Sequence, residues 1–168
     1  ENYPSIITLK LDKNYGFTKP NNMAAKIAKG DLLLLLNNDT EVTPNFLTEL
    51  VEVLVKNNQI GICQSLLLKY NGEIDSSGDF IDNIGIVYNS KKKIDKIREI
   101  SSARGASMII RKKLFLDLGG FDEKFFVSFE DVDLGWRTWI MGYKVVINPK
   151  SIVYHHGGKT HGSIKDEI

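Results

Sequence analysis

Five consecutive leucines, Leu32 to Leu36, stand between Gly30-Asp31 and Asn37-Asn38-Asp39. The run is far below the roughly 20 residues of a membrane span. Short, wholly apolar and bounded by turn residues, it reads as a strand buried on both faces, as in parallel sheets covered by helices. Such a strand needs helices above and below it, and the flanking sequence offers them. Pro20 sits near a helix start, Met23, Ala24, Ala25, Ile27 and Ala28 fill about two turns, and Gly30 stands where a C′ glycine would. Beyond the leucines, Thr43-Pro44 supplies an N-cap and a first-turn proline, and Leu47, Leu50, Val51 and Leu54 recur at helical spacing. Earlier, Ile6, Ile7, Leu9 and Leu11 form a β-type run that predicts a buried strand ending at the turn Asn14-Tyr15-Gly16.

Downstream, Ile60 to Lys69 reads as a strand, and the Gly-, Asp-, Asn- and Ser-rich stretch from Tyr70 to Lys93 as hairpins and a mobile loop. Ser107 to Ile110 predicts a strand, and Lys112 to Leu118 a short helix closed by Gly119-Gly120. Ser128 to Met141 predicts a helix capped by Gly142, with strands at Tyr143 to Ile147 and Ile152 to His155. Alternating strands and helices followed by mixed elements argue for one layered α/β domain with an elaborated second half. The 22 basic and 21 acidic residues leave a net charge of +1, which gives no electrostatic reason to expect nucleic acid. The single cysteine, Cys63, lies in an apolar stretch and reads as a buried small hydrophobe. Lys91-Lys92-Lys93 reads as a solvated loop run, and Trp136 and Trp139 as packing rather than a sugar platform.

Three constellations can carry chemistry. Asn37-Asn38-Asp39-Thr40 follows the leucine strand, and ligands of open α/β sheets bind beyond such strand ends; Asp39 there can hold a metal or a phosphate-linked group, or merely cap the next helix. Phe129-Glu130-Asp131-Val132-Asp133-Leu134 packs three carboxylates into four residues, a density that favours a perturbed base. Capping by a Ser128–Asp131 box and an Asp133–Arg137 pair would account for two of those acids. In Tyr154-His155-His156-Gly157-Gly158-Lys159 the two histidines face opposite sides of a strand, so one of them at most joins a metal shared with Asp39, and Lys159 can neutralise phosphate. Arg104-Gly105-Ala106, before a strand, either approaches a substrate closely or makes a tight backbone crossing.

The order of these segments resembles family 2 glycosyltransferases, closest to the rhamnosyltransferase-like branch. It is carried by Asn14-Tyr15-Gly16-Phe17, Asn22, Gly30-Asp31 with the leucines, Asn37-Asn38-Asp39-Thr40-Glu41-Val42, Arg104-Gly105-Ala106, Gly119-Gly120-Phe121-Asp122-Glu123, the Glu130-Asp131 segment, Gly142-Tyr143-Lys144 and His155-His156-Gly157-Gly158. The resemblance implies a GT-A fold: helix, sheet and helix layers around a mixed, mainly parallel sheet. It implies a nucleotide-diphosphate sugar donor and a glycan or lipid-linked acceptor in cell-surface polysaccharide or glycolipid assembly, with transfer by inversion. By resemblance, Asp131 is the base with Glu130 beside it. Asn14, Gly16, Asn22, Asn38, Asp39 and Lys159 bind the donor, and Arg104, Gly105 and Ala106 line the sugar and acceptor pocket. Asp39 and His155 hold a divalent cation, Mg²⁺ or Mn²⁺. The family also suggests a cytoplasmic location at the inner membrane face, with peripheral association.

Two departures stand out. Asn37-Asn38-Asp39 replaces the family's common Asp-x-Asp, leaving one carboxylate fewer for the cation. The chain also reads as a single catalytic domain, 1–168, without the family's first strand-helix-strand unit. The rival expectation is a non-catalytic nucleotide-sugar or glycan binding module. A nucleotidyltransferase or a dinucleotide oxidoreductase lacks support, because no Gly-rich phosphate loop follows the first strand.

Overall fold

The computed structural model describes residues 6–126 and 128–156. Helix α1 spans Thr18–Ile27, strand β1 Leu32–Leu36, β2 Thr40–Val42, α2 Phe46–Lys56, β3 Ile60–Leu68, β4 Ile74–Ser76, β5 Asp79–Ile81, β6 Val87–Asn89, β7 Arg98–Glu99, β8 Ser107–Arg111, α3 Lys112–Asp117, α4 Glu130–Ile140 and β9 Lys144–His155. The main sheet runs β1-β8-β3-β9-β2, with β4 on β3 and β7 on β9; β5 and β6 form a separate hairpin. The sheet is mixed. Its longest ladder, β3 with β9, is parallel, whereas β1 with β8, β8 with β3 and β9 with β2 are antiparallel.

Helices cover both faces. Leu33 and Leu35 of β1 join Ala25 of α1, Phe115 of α3 and Leu134 of α4 on one side. Leu32 and Leu34 pack on the other, against Leu50, Val53 and Leu54 of α2. The leucine run therefore forms a strand packed on both faces, as its composition demands, although its neighbour is antiparallel. Because alternate strand residues face opposite sides, five leucines in a row can feed two separate cores.

Several local expectations are corrected. Residues 6–11 form no strand, and Ile6 and Ile7 are exposed; an apolar run becomes a strand only beside a partner, and none of the described strands pairs with it. Thr43 does not cap α2, because its hydroxyl donates to the Ile152 carbonyl in the neighbouring strand, and Asn45 takes the N-cap place without a side-chain bond. Gly30 is not a C′ glycine: α1 ends at Ile27 with Ala28 as its C-cap. The two strands expected after Gly142 are one, β9, with a register shift that skips from Asn148 to Ile152 opposite Ser65–Leu66.

Cys63 lies fully buried beneath α2, and loss of water pushes its thiol up to about 12, against a smaller lowering by a backbone hydrogen bond from Asn148. Native protein at pH 8 should therefore resist iodoacetamide, which attacks the thiolate, and label only on denaturation. Rapid labelling of the folded chain, followed by mass spectrometry, would contradict this packing.

Candidate active site

A cleft of about 470 Å³ opens where the loop after β1, the β5–β6 hairpin, the segment before β8 and the start of α4 meet, lined by Phe17, Asn37, Asp79, Arg104, Gly105, Glu130, Asp131 and His155 among others. The three acids of the α4 segment are sorted by what they touch. Asp133 accepts from Arg137, 2.9 Å from Oδ2 to Nε, and Arg137 also ties down the Leu118 and Gly120 carbonyls, so this acid is structural. Asp131 faces the cleft. Its Oδ1 accepts the Val132 N–H at 2.8 Å and its Oδ2 the Gly105 N–H at 3.4 Å.

Burial raises the Asp131 carboxyl above its ordinary range, opposed by those backbone donors and by Arg104. Glu130 is also raised, chiefly by burial, and its Oε2 has no hydrogen-bond partner among the described residues. The expected Ser128–Asp131 capping box does not form. The N-cap is Phe129, without a side-chain bond, and both Ser128 and Phe129 hold positive φ, 74° and 68°. Two successive non-glycine residues in that region carry strain on the order of 1–3 kcal/mol each, the kind of backbone that clusters at ligand sites. The turn starts α4 one residue later than the capping pattern predicts, with Asp131 in the first helical turn.

Arg104 is built into the cleft by two buried partners. Its backbone N–H donates to Gln64 Oε1 at 2.7 Å, and its Nε lies 3.2 Å from both oxygens of Asp79. Asp79 is only 5% exposed; burial raises its carboxyl, Arg104 pulls it back, and Asp131 raises it further. Nε is thus committed to Asp79, while the outer guanidinium nitrogens make no hydrogen bond among the described residues and are free to meet an oxygen-rich ligand. Gly105 lines the cleft and is closely packed at the same time. Its N–H points to Asp131, and a Cβ there would lie 2.9 Å from the Phe17 ring, so a close crossing exists as well.

The second charged group gathers from two strands and the β1–β2 turn, which holds Asp39. His155 closes β9 opposite Thr40 of β2. Its Nε2 lies 3.6 Å from Asp39 Oδ2, and its Nδ1 2.9 Å from Asp75 Oδ2 in β4. His156 points elsewhere, stacking on Tyr70 at 4.0 Å between ring centroids, as opposite faces of a strand require. Asp39 Oδ1 is buried and without a hydrogen-bond partner among the described residues.

An orphaned carboxylate oxygen beside an imidazole is a donor set that suits a divalent cation. Two ligands each about 2.1 Å from one ion stand about 3–4 Å apart, which spans the His155–Asp39 gap. Among the described residues no three His, Cys, Asp or Glu side chains group as a complete metal cage. Cations that bridge phosphates commonly take only one or two protein ligands and complete their shell with phosphate oxygens and water.

The remaining expected donor contacts disperse. Asn22 is buried and fully used, its amide bonding the Phe121 carbonyl and N–H, so it ties α1 to the Gly120–Phe121 turn rather than facing the cleft. Asn14 Oδ1 accepts the Gly16 N–H, and a Cβ on Gly16 would collide with the Phe126 carbonyl; both positions are explained by local packing. Asn38 is exposed in the β1–β2 turn, whereas its neighbour Asn37 lines the cleft. Ala106 lies in the wall of the cleft. Lys159 falls outside the described residues.

A larger hollow of about 760 Å³, walled by Phe80, Ile81, Trp136, Trp139 and Ile140, carries no comparable chemistry. Trp139 donates its indole N–H to the Ile100 carbonyl and is a packing residue, as its spacing suggests. Asp75 and Asp79 had no sequence signal: both sit in a turn-rich stretch and reach the site only through the hairpins.

Comparison with known proteins bears on family and fold. Over 166 residues the chain is 32% identical to the O-antigen biosynthesis protein RfbC of Myxococcus xanthus, covering 91% of this chain and 13% of that protein. It is 23% identical to the N-acetylglucosaminyl-diphospho-decaprenol L-rhamnosyltransferase of Mycobacterium tuberculosis, covering 99% of this chain and 63% of that protein. The chain thus spans a minor part of the first relative and about two-thirds or less of the second. In fold it matches GalNAc-T7, solved with UDP, GalNAc and Mn²⁺, at a TM-score of 0.72 and 18% identity, over 88% of this chain and 31% of that one. It also matches the mannosyltransferase PcManGT of Pyrobaculum calidifontis, solved with GDP-Man and Mn²⁺, at 0.60 and 18%, over 86% and 37%. These neighbours share the GT-A architecture that the family resemblance implies. Residues 1–119 match Glycosyl transferase family 2, and the chain belongs to that family.

Proposed function

We propose that this chain is catalytic machinery of an inverting glycosyltransferase that moves a sugar from a nucleotide-diphosphate donor to a hydroxyl acceptor. The observation that carries the reading is one cleft holding a desolvated carboxylate, Asp131, beside the Asp79-anchored Arg104, with the Asp39–His155 pair at its edge. Single displacement needs a base on one face of the sugar and stabilisation of the leaving diphosphate on the other. Asp131 accepts the proton of the acceptor hydroxyl as that oxygen attacks the anomeric carbon. Burial keeps the proton affinity of Asp131 high, with Glu130 beside it, and the Val132 and Gly105 backbone N–H groups hold the Asp131 carboxylate in place. Arg104 offers its outer guanidinium nitrogens to sugar or phosphate oxygens. Asp39 and His155 would hold Mg²⁺ or Mn²⁺, which when bound supplies positive charge against the departing diphosphate.

The relatives' names support a role in cell-surface polysaccharide or glycolipid assembly and a glycan or lipid-linked acceptor. The reading also includes work at the cytoplasmic face of the membrane, by peripheral association; among the described residues no helix is long and apolar enough to cross a membrane. The test is a release assay with UDP-, GDP- and dTDP-linked sugars, with and without Mn²⁺. Nucleoside diphosphate should appear only with cation and one class of donor, and Asp39→Asn should abolish the cation's effect. Donor binding by thermal shift with no donor consumed, even with glycan acceptors present, would favour a binding module instead.

A further inference from the structure

Asp75 stands at an irregularity in the sheet. On β3, Leu67 pairs with Ser76 and Leu68 with Ile74, so the register shifts between them and Asp75 has no cross-strand partner. An extra residue of this kind is a β-bulge, a device that re-aims a side chain and is frequent beside functional sites. Here the re-aimed carboxylate crosses to β9 and meets His155 Nδ1 at 2.9 Å, half-buried on both sides. That is the only hydrogen bond of the Asp75 side chain among the described residues; its backbone carbonyl separately accepts from Asn89.

An ionised carboxylate can only accept, so the hydrogen bond places the imidazole proton on Nδ1. The Nε2 lone pair then faces Asp39, whose nearer oxygen lies 3.6 Å away. In the neutral ring of this tautomer two electron-rich atoms stand face to face, a pair that a cation would bridge. Ligand histidines are commonly held this way, by a carboxylate on the far ring nitrogen that fixes tautomer and orientation.

We propose that Asp75 is a positioning residue: delivered by the β4 bulge, it locks His155 as the Nδ1–H tautomer and aims Nε2 at the cation position beside Asp39. The proposal rests on the cation reading above, and two measurements separate the two. Long-range ¹H–¹⁵N correlation spectra of the full chain at pH 8 report the tautomer without any metal. The wild-type ring should carry its proton on Nδ1, Asp75→Ala should shift the population toward Nε2–H, and Asp75→Asn, which keeps an acceptor oxygen, should retain much of the native form. Mn²⁺ titration in the presence of UDP, followed by electron paramagnetic resonance, should show Asp75→Ala binding the ion about 10- to 100-fold more weakly, the range for losing such a partner. Asp75→Asn should fall between the two.

Melting temperatures of both variants close to wild type would show that the loss is local, as expected where one side-chain bond is removed. A wild-type ring protonated on Nε2, or a tautomer unchanged in Asp75→Ala, overturns the assignment of Asp75 whatever the metal does. A wild-type chain with the Nδ1–H tautomer but no affinity for Mn²⁺ overturns the cation reading and leaves Asp75 as the tautomer lock alone.

Discussion

Asp131→Asn is expected to lower turnover by about 10²- to 10⁴-fold, the scale of losing a positioned general base, without loosening the fold. The amide keeps an oxygen for the Val132 N–H that Asp131 Oδ1 accepts at 2.8 Å, so the α4 start should stand. What disappears is proton affinity. Burial holds the Asp131 carboxyl above its ordinary value in the folded chain, and the sign of the linkage follows. Between the unfolded and the folded pKa the native state binds more protons, so stability falls as pH rises through that window, and the ionised group at pH 7 is a net cost.

The Asn variant should therefore melt at the same temperature as wild type or higher at pH 7, with the difference closing toward acid pH. Wild-type kcat/KM should rise with pH along an acid limb displaced above the usual carboxylate range, and that limb should be missing from the residual activity of the variant. Turnover in Asp131→Asn within a few-fold of wild type would remove this residue from the mechanism.

Gly135→Ala is expected to destabilise the chain by about 2 kcal/mol, within the usual cost of overpacking, and to lower Tm by about 4–8 °C on the scale for domains of this size. Helix propensity alone predicts the opposite, a gain of about 1 kcal/mol for replacing an interior helical glycine. The structure decides the sign. A Cβ at Gly135 would lie 2.7 Å from the Ser102 Cβ and 2.8 Å from both the Ser101 carbonyl oxygen and the Ser102 Cα. Two of those three atoms are backbone and have no rotamer to yield, so α4 must move away from the Ser101–Ser102 segment it packs on. Asp131 rides one turn earlier on that helix, opposite the Gly105 N–H in the segment just beyond Ser102, so turnover should fall with stability. A variant that melts higher than wild type and turns over normally would show that the packing against Ser101–Ser102 is loose enough for propensity to prevail.

How much of this was legible beforehand depends on whether the cause is local. The leucine strand, the apolar face of α2, the β3 strand, the glycine closures at Gly119 and Gly142 and the Asp133–Arg137 pair all follow from periodicity and side-chain chemistry within a few residues. So did the separation of His155 from His156, because a strand alternates its faces. The Thr43 cap, the Ser128–Asp131 box and the strand at residues 6–11 were reasonable local readings that lost to partners elsewhere or to the lack of one. The Thr43 hydroxyl found a carbonyl in β9, and the apolar run near the start pairs with none of the described strands.

The amino-acid order by itself determined the layered α/β class, the family and the carboxylates worth watching, because burial patterns and turn chemistry are written in neighbouring residues. Only the tertiary structure decided which of those carboxylates are desolvated, that Asp79 anchors Arg104 across 25 residues and that Asp75 meets His155 across 80. Distances between side chains so far apart in sequence are set by strand register, bulges and helix packing, and no local pattern encodes them.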